Sequence, residues 1–126
     1  MIGKTNTLIR ETIGVLQDPD KWNHTGGHIP GKTCIVMCCF SKAVDHAHEG
    51  SGGSHQRALR AIRRAIEARY GLSRGKQYNR RTRKDQADII AFNDHPQTVH
   101  ADVMGVLYQA EKYTRPFWRG PMEVNA

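Results

Sequence analysis

Residues 26–34 read GGHIPGKTC, and the reading of that string decides the fold. Through Thr33 it satisfies the nucleotide-binding pattern G-x-x-x-x-G-K-[ST], with Gly26, Gly31, Lys32 and Thr33 in the fixed places. A working loop of that kind follows a buried strand and opens a helix. Its backbone N–H groups wrap the phosphates, the Lys reaches the outer ones and the Thr helps hold magnesium. Here the preceding residues are DPDKWNHT (18–25), too polar for a buried parallel strand. The chain also lacks the alternating strand and helix patterns from which such a sheet is built. ADIIAFND (87–94) is the one segment that could serve as a second strand, and two strands do not make that fold. GGHIPGKTC therefore reads as a turn-rich loop leading into a helix, with Thr33 as its N-cap.

On either side of this loop the periodicity is helical. Upstream, Leu8, Ile9, Ile13 and Leu16 spread over one broad face, with Thr5 or Asn6 as N-cap and a stop before Asp18-Pro19. Downstream, CIVMCCFSKAVDHAH (34–48) is apolar on nearly all sides, as expected of the central helix of a domain. Val36, Phe40, Ala43, Val44 and Ala47 take one side, and Cys34, Cys38 and Asp45 the other. The run EGSGGS (49–54) is a break, with Ser54 as the next N-cap. HQRALRAIRRAIEARYG (55–71) is strongly amphipathic. Leu59, Ile62, Ile66 and Tyr70 form its core stripe, and Arg57, Arg60 and Arg64 lie opposite.

A helix over about 83–93 presents Ile89 and Phe92 on one face. Thr98 caps a last helix whose stripe is Val99, Val103, Val106, Leu107 and Ala110. The expected fold is all-α, a single-domain bundle of about five helices over residues 1–113 with a basic loop. An extended tail occupies 114–126, with Phe117 and Trp118 packed on the domain or on a partner.

Composition narrows the function classes. The 126 residues carry a formal net charge of +7, with 38% hydrophobic and 25% charged residues. No stretch approaches the roughly 20 apolar residues of a membrane span, and no signal peptide is indicated. Three cysteines, two of them adjacent, make a poor disulfide framework and point to a reducing cytoplasm.

The basic excess favours polyanionic partners, and its distribution supports nucleic acid or a ribonucleoprotein. Arg57, Arg60 and Arg64 share a helix face, and residues 74–84 add Arg74, Lys76, Arg80, Arg81, Arg83 and Lys84 without one acid. Arginine forks suit phosphate, so contact runs mainly to the backbone, and Tyr70 and Tyr78 can stack on bases. The rival reading is a protein–protein adaptor or an inhibitor of a host factor. It would anchor through Phe117 and Trp118 within RPFWR (115–119).

Two weaker constellations surround the opening string. His24, His28, Cys34 and Cys38 are zinc-ligand types, but spaced by three and five residues, where structural zinc sites favour spacings of two. Core packing explains the cysteines more simply. Cys34 can also be a nucleophile activated by a helix N-terminus, with His28 or His100 as base. Neither leads, and no catalytic residue, metal or cofactor is expected.

Scattered residues carry a resemblance. They are Trp22, Gly31-x-x-Cys34, Ala58-Leu59-x-x-Ile62, Ile89-x-x-Phe92-Asn93-Asp94 and Thr98-x-x-x-Asp102-Val103. This order resembles a small family of actinobacteria and their phages whose members show a Trp, a Cys at a helix start and a Trp-Asn-Asp segment. A Thr and a Glu-Val-Leu helix follow in that family. Here Phe92 replaces the second Trp, and Asp102-Val103-Met104 replaces Glu-Val-Leu. The 74–84 insert and the 114–126 tail depart further. The resemblance implies that the loop before Cys34 is no phosphate cradle. It implies that Asn93, Asp94 and Thr98 are turn and capping residues, with Asn93 and Asp94 facing a ligand as the alternative, and it brings no activity.

Overall fold

Leu59, Ile62 and Ile66 line the buried face of a helix spanning Ser54–Tyr70, and four other helices pack around it. The structure, a computed structural model, describes residues 2–25, 27–47, 53–71 and 84–122. In chain order these form α1 (Ile2–Leu16), a 3-10 turn (Pro19–Lys21), α2 (Ile35–Asp45), α3 (Ser54–Tyr70), α4 (Lys84–Asp94) and α5 (His100–Thr114). The protein is all-α. Among the described residues the sole β pairing is an isolated bridge between Trp22 and Thr33.

Small residues explain why α3 is the hub. Ala58, Ala61 and Ala65 are buried beside the Leu59, Ile62 and Ile66 stripe, so neighbouring helices approach closely. α1 contributes Leu8, Ile9, Ile13 and Leu16, and α5 contributes Val103, Val106, Leu107 and Ala110. Each fully buried Leu, Ile or Phe stabilises the bundle by roughly 1.5–3 kcal/mol. Tyr70 closes one end of α3. Its hydroxyl donates to Asp102 Oδ1 at 2.9 Å, and its ring lies 5.4 Å from that of Phe92. Arg63 ties α3 to α4 by donating to Asp88 at 2.7 Å, with Glu67 at 3.1 Å and Asp85 at 3.8 Å. The hydrogen bond to Asp88 holds its guanidinium even more basic than usual.

Several local expectations are corrected. α2 is not the central helix: it buries Ile35, Val36, Cys38 and Cys39, while Met37, Phe40 and Val44 are about half exposed. A sequence apolar on nearly all sides does not say which side meets the bundle. Burial raises the thiol pKa of Cys38 to about 11 and that of Cys39 to about 12, so both are packing residues. α1 starts at Ile2, and Thr5 and Asn6 lie buried inside it.

Caps differ too. α3 is entered from Gly53 in the left-handed region, not from a Ser54 cap, and the buried Ser54 hydroxyl has no hydrogen bond among the described residues. At α5 the buried Thr98 makes no cap. Val99 occupies that position, largely exposed, and its N–H donates to Asp102 Oδ2 at 3.0 Å.

The described part of the tail is strapped to the bundle. A turn closes with Arg119 N–H donating to Pro116 O, and Arg10 donates to Gly120 O at 2.7 Å. Arg119 donates to Asn6 Oδ1 and Thr7 Oγ1, both at 3.0 Å. Beneath lies Glu111, on α5 and only 1% exposed. Its carboxylate accepts from Arg10, Arg115 and Asn6 Nδ2, and Asn6 also donates to its backbone carbonyl. Burial alone would raise the Glu111 pKa. The hydrogen bonds from Arg115, Asn6 and Arg10 outweigh it and bring the pKa down to about 2.

A folded pKa of about 2 against an ordinary 4.5 means the ionised form is favoured by folding. That stability is complete above the ordinary value and is lost as pH falls toward the folded one, amounting to about 3 kcal/mol. Glu111→Gln should lose about 2–3 kcal/mol at neutral pH. Its unfolding free energy should also decline less than the wild type's on acidification. Urea denaturation at pH 7 and pH 3 measures both.

Candidate functional site

The Ile29-Pro30-Gly31-Lys32 sequence has proline and glycine where a type II turn needs them, and Gly31 has φ +82°. Lys32 N–H donates to Ile29 O at 3.1 Å, closing that turn. The chain then returns beside Trp22. Thr33 N–H donates to Lys21 O at 2.8 Å, and Asn23 N–H donates to Thr33 O at 2.9 Å. Asn23 holds the loop from within, its Oδ1 accepting from the Thr25 amide and hydroxyl and its Nδ2 donating to Gly27 O.

One buried amide fastens this loop to the bundle. Asn93, at the end of α4 and 1% exposed, accepts at Oδ1 from Trp22 Nε1 at 2.9 Å and from Ile35 N–H at 3.2 Å. Its Nδ2 donates to Asn23 O at 2.8 Å and Asp94 Oδ1 at 2.9 Å. Cys34, not Thr33, caps α2, its sulfur accepting from Met37 N–H at 3.5 Å. The Ile35 and Met37 amides are thus engaged by protein atoms, so the start of α2 is not an open phosphate cradle.

Between loop and bundle lies a cleft of about 510 Å³. His28, Lys32 and Asp94 stand among its polar lining and Val36, Met37 and Ile90 among its apolar lining, with Cys34 beside them. Of the four metal-ligand types, only His28 and Cys34 reach it. His24 stacks on Trp22 with ring centroids 4.8 Å apart, its Nε2 lies 2.8 Å from His95 O, and Cys38 is in the core. His100 does not line the cleft; its Nε2 lies 2.6 Å from Leu16 O. No cluster of three or more His, Cys, Asp or Glu side chains fit for a metal forms among the described residues.

The basic surface lies on another part of the bundle. Arg57, Arg60 and Arg64 are exposed on α3, as their spacing predicts, and none forms an ion pair among the described residues. Arg57 donates to Thr5 Oγ1 at 3.4 Å, and the Arg64 guanidinium lies 4.6 Å above the Tyr113 ring. Arg74, Lys76, Arg80, Arg81 and Arg83 fall outside the described residues, as does Tyr78, and Lys84 begins α4.

Phe117 is fully exposed and Trp118 is 61% exposed. The Arg119 guanidinium sits 4.9 Å above the Trp118 ring. Sequence reading passed over Tyr113 and Arg119 as site residues. Their signal was slight, one being a polar-face tyrosine and the other a cation next to a tryptophan.

The family is settled by a match of its model to residues 3–113. The chain belongs to a family of unknown function, DUF6197. The matched stretch of this DUF6197 member holds the cleft, Asn93 and the α3 arginines, and it stops before Phe117, Trp118 and Arg119. No curated protein and no solved structure matches the chain. Among the described residues no helix is long and apolar enough to cross a membrane.

Asn93→Ala would leave Trp22 Nε1 and the Ile35 amide without an acceptor and Asn23 O without a donor. The expected cost is about 2–4 kcal/mol in urea unfolding, with Trp22 fluorescence shifted to the red. An unchanged midpoint would show that the loop does not hang on this amide.

Proposed function

We propose that this protein is a small basic binding protein. Its partner is nucleic acid or a nucleic-acid-containing complex, gripped mainly through backbone phosphates. The observation that carries this reading is the exposed row of Arg57, Arg60 and Arg64, unpaired among the described residues. The contrast with Arg63 on the same helix gives it weight, since three carboxylates surround that residue. Arginines already held by acids staple the fold, whereas unpaired ones leave a field that a polyanion neutralises. The acid-free run at 74–84 connects α3 to α4 and adds to the same balance.

Three free cysteines, two of them deep in the core, suit a reducing compartment. A phage setting would accord with the family resemblance in the sequence. Phosphate contacts carry little sequence information, so binding is expected to be general and strongly dependent on salt.

Replacing Arg57, Arg60 and Arg64 together by Glu should lower affinity for a short oligonucleotide by roughly a hundredfold or more near 50 mM salt. The slope of log K against log salt should flatten by about 2–3. Fluorescence anisotropy over a salt series measures both quantities. No binding by the wild type at low salt, or equal slopes for the two proteins, would refute the proposal.

A further inference from the structure

The α3 arginines and the tail both reach the first turns of α1. Arg57 rests on Thr5, while Arg119 rests on the next two residues, Asn6 and Thr7. Asn6 also donates to Thr114 at 3.2 Å, one residue from Tyr113, on whose ring Arg64 lies. Trp118 lies against the same helix. Its ring edge lies so close to Gly3 that an added Cβ there would come within 3.0 Å of Cζ2. A chain of contacts therefore links Arg64 and Tyr113, through Thr114 and Asn6, to Arg119 and Trp118.

We infer that this surface is a single-strand nucleic-acid site. Phosphates meet Arg57, Arg60 and Arg64 while unpaired bases stack on Trp118 and Phe117. This rests on the proposed nucleic-acid reading and adds a substrate class to it. Charge complementarity favours that occupant over a protein. The acids of the three helices that build the face are all engaged. Glu11 is held by His46, Glu67 by Arg63, Asp102 by Tyr70, and Glu111 by Arg10 and Arg115. Among the described residues the cations of the face form no ion pair, and two of its three aromatics carry a guanidinium on the ring.

An exposed aromatic beside arginine is what an unstacked base takes up, because every base presents a π-face and a phosphate nearby. A duplex keeps its bases stacked inside and cannot use the rings. The tail is also held in advance, through Arg10 to Gly120 and Arg119 to α1, so little ordering accompanies stacking.

The protein holds two tryptophans, and Trp22 is buried, so quenching of emission by a bound strand reports Trp118. The probes are oligothymidylate, the same strand paired with oligoadenylate, and heparin. Oligothymidylate should quench and bind more tightly than the duplex, and heparin should bind without comparable quenching. Trp118→Ala should weaken oligothymidylate binding about tenfold to a hundredfold and leave heparin binding unchanged. Phe117→Ala serves as a second variant, and near-ultraviolet circular dichroism checks that both remain folded.

Equal affinity for strand and duplex, or unchanged strand affinity in both variants, would overturn the inference. If the Arg57, Arg60 and Arg64 replacement still abolished binding, the broader reading would stand. A cellular protein retained after nuclease treatment only when the tail is intact, with no quenching by oligothymidylate, would assign the rings to a protein partner. It would overturn the inference too. Failure of the wild type to bind any of the three probes would overturn both.

Discussion

A single buried carboxylate, Glu111, decides how one side of this molecule is arranged. Its two oxygens engage Arg10 from α1 and Arg115 from the tail, and Asn6 of α1 joins them. An unpaired carboxylate at that depth would cost several kcal/mol, so the donors cannot be removed without disturbing the packing. The consequence reaches the surface. With Arg10 and Arg115 drawn inward, Arg119 falls onto Asn6 and Thr7, and Trp118 lies over Gly3. Trp118 is thereby held against α1, with the Arg119 guanidinium over its ring.

The basic charge of this protein consequently divides into two populations. Arg10, Arg63 and Arg115 are stapling residues, each matched to carboxylates of low exposure. Arg57, Arg60 and Arg64 are exposed and without ion pairs among the described residues. A net charge of +7 does not distinguish these classes, and only the pairing shows which cations a partner can reach. The cleft behind the loop is a separate feature. Its amide donors at the start of α2 are engaged by Asn93 and Cys34, which removes the feature that a phosphate loop depends on.

Amphipathic segments were legible in the sequence wherever one face was clearly polar. α3 shows its core stripe and its arginine row at the expected positions, α1 stops before Asp18-Pro19, and Ile89 and Phe92 of α4 are both buried. Where that contrast is weak, periodicity has little to say. α2 is apolar almost all round and reads as central, yet Phe40 and Val44 are about half exposed while Cys38 and Cys39 are buried. Caps were harder still. Thr98 and Ser54 have the right side chains, yet among the described residues neither hydroxyl has a hydrogen bond. At α5 Asp102 accepts from the Val99 amide, and α3 starts from Gly53 without a side-chain cap.

The links that organise the candidate sites are long-range hydrogen bonds, such as Trp22 to Asn93 and Arg119 to Asn6, and no local pattern announces them. GKT in the opening string is the clearest case, since the type II turn at Pro30-Gly31 explains its glycine without any nucleotide. The central claim is where a polyanion lands. Amide shift mapping by NMR during titration with a short oligothymidylate addresses it most directly. The expected result is perturbation along the outward face of α3 and through residues 113–119, with the loop around Gly31 and Asn93 unmoved. Perturbation confined to the cleft, at His28, Lys32, Cys34 and Asp94, would contradict it.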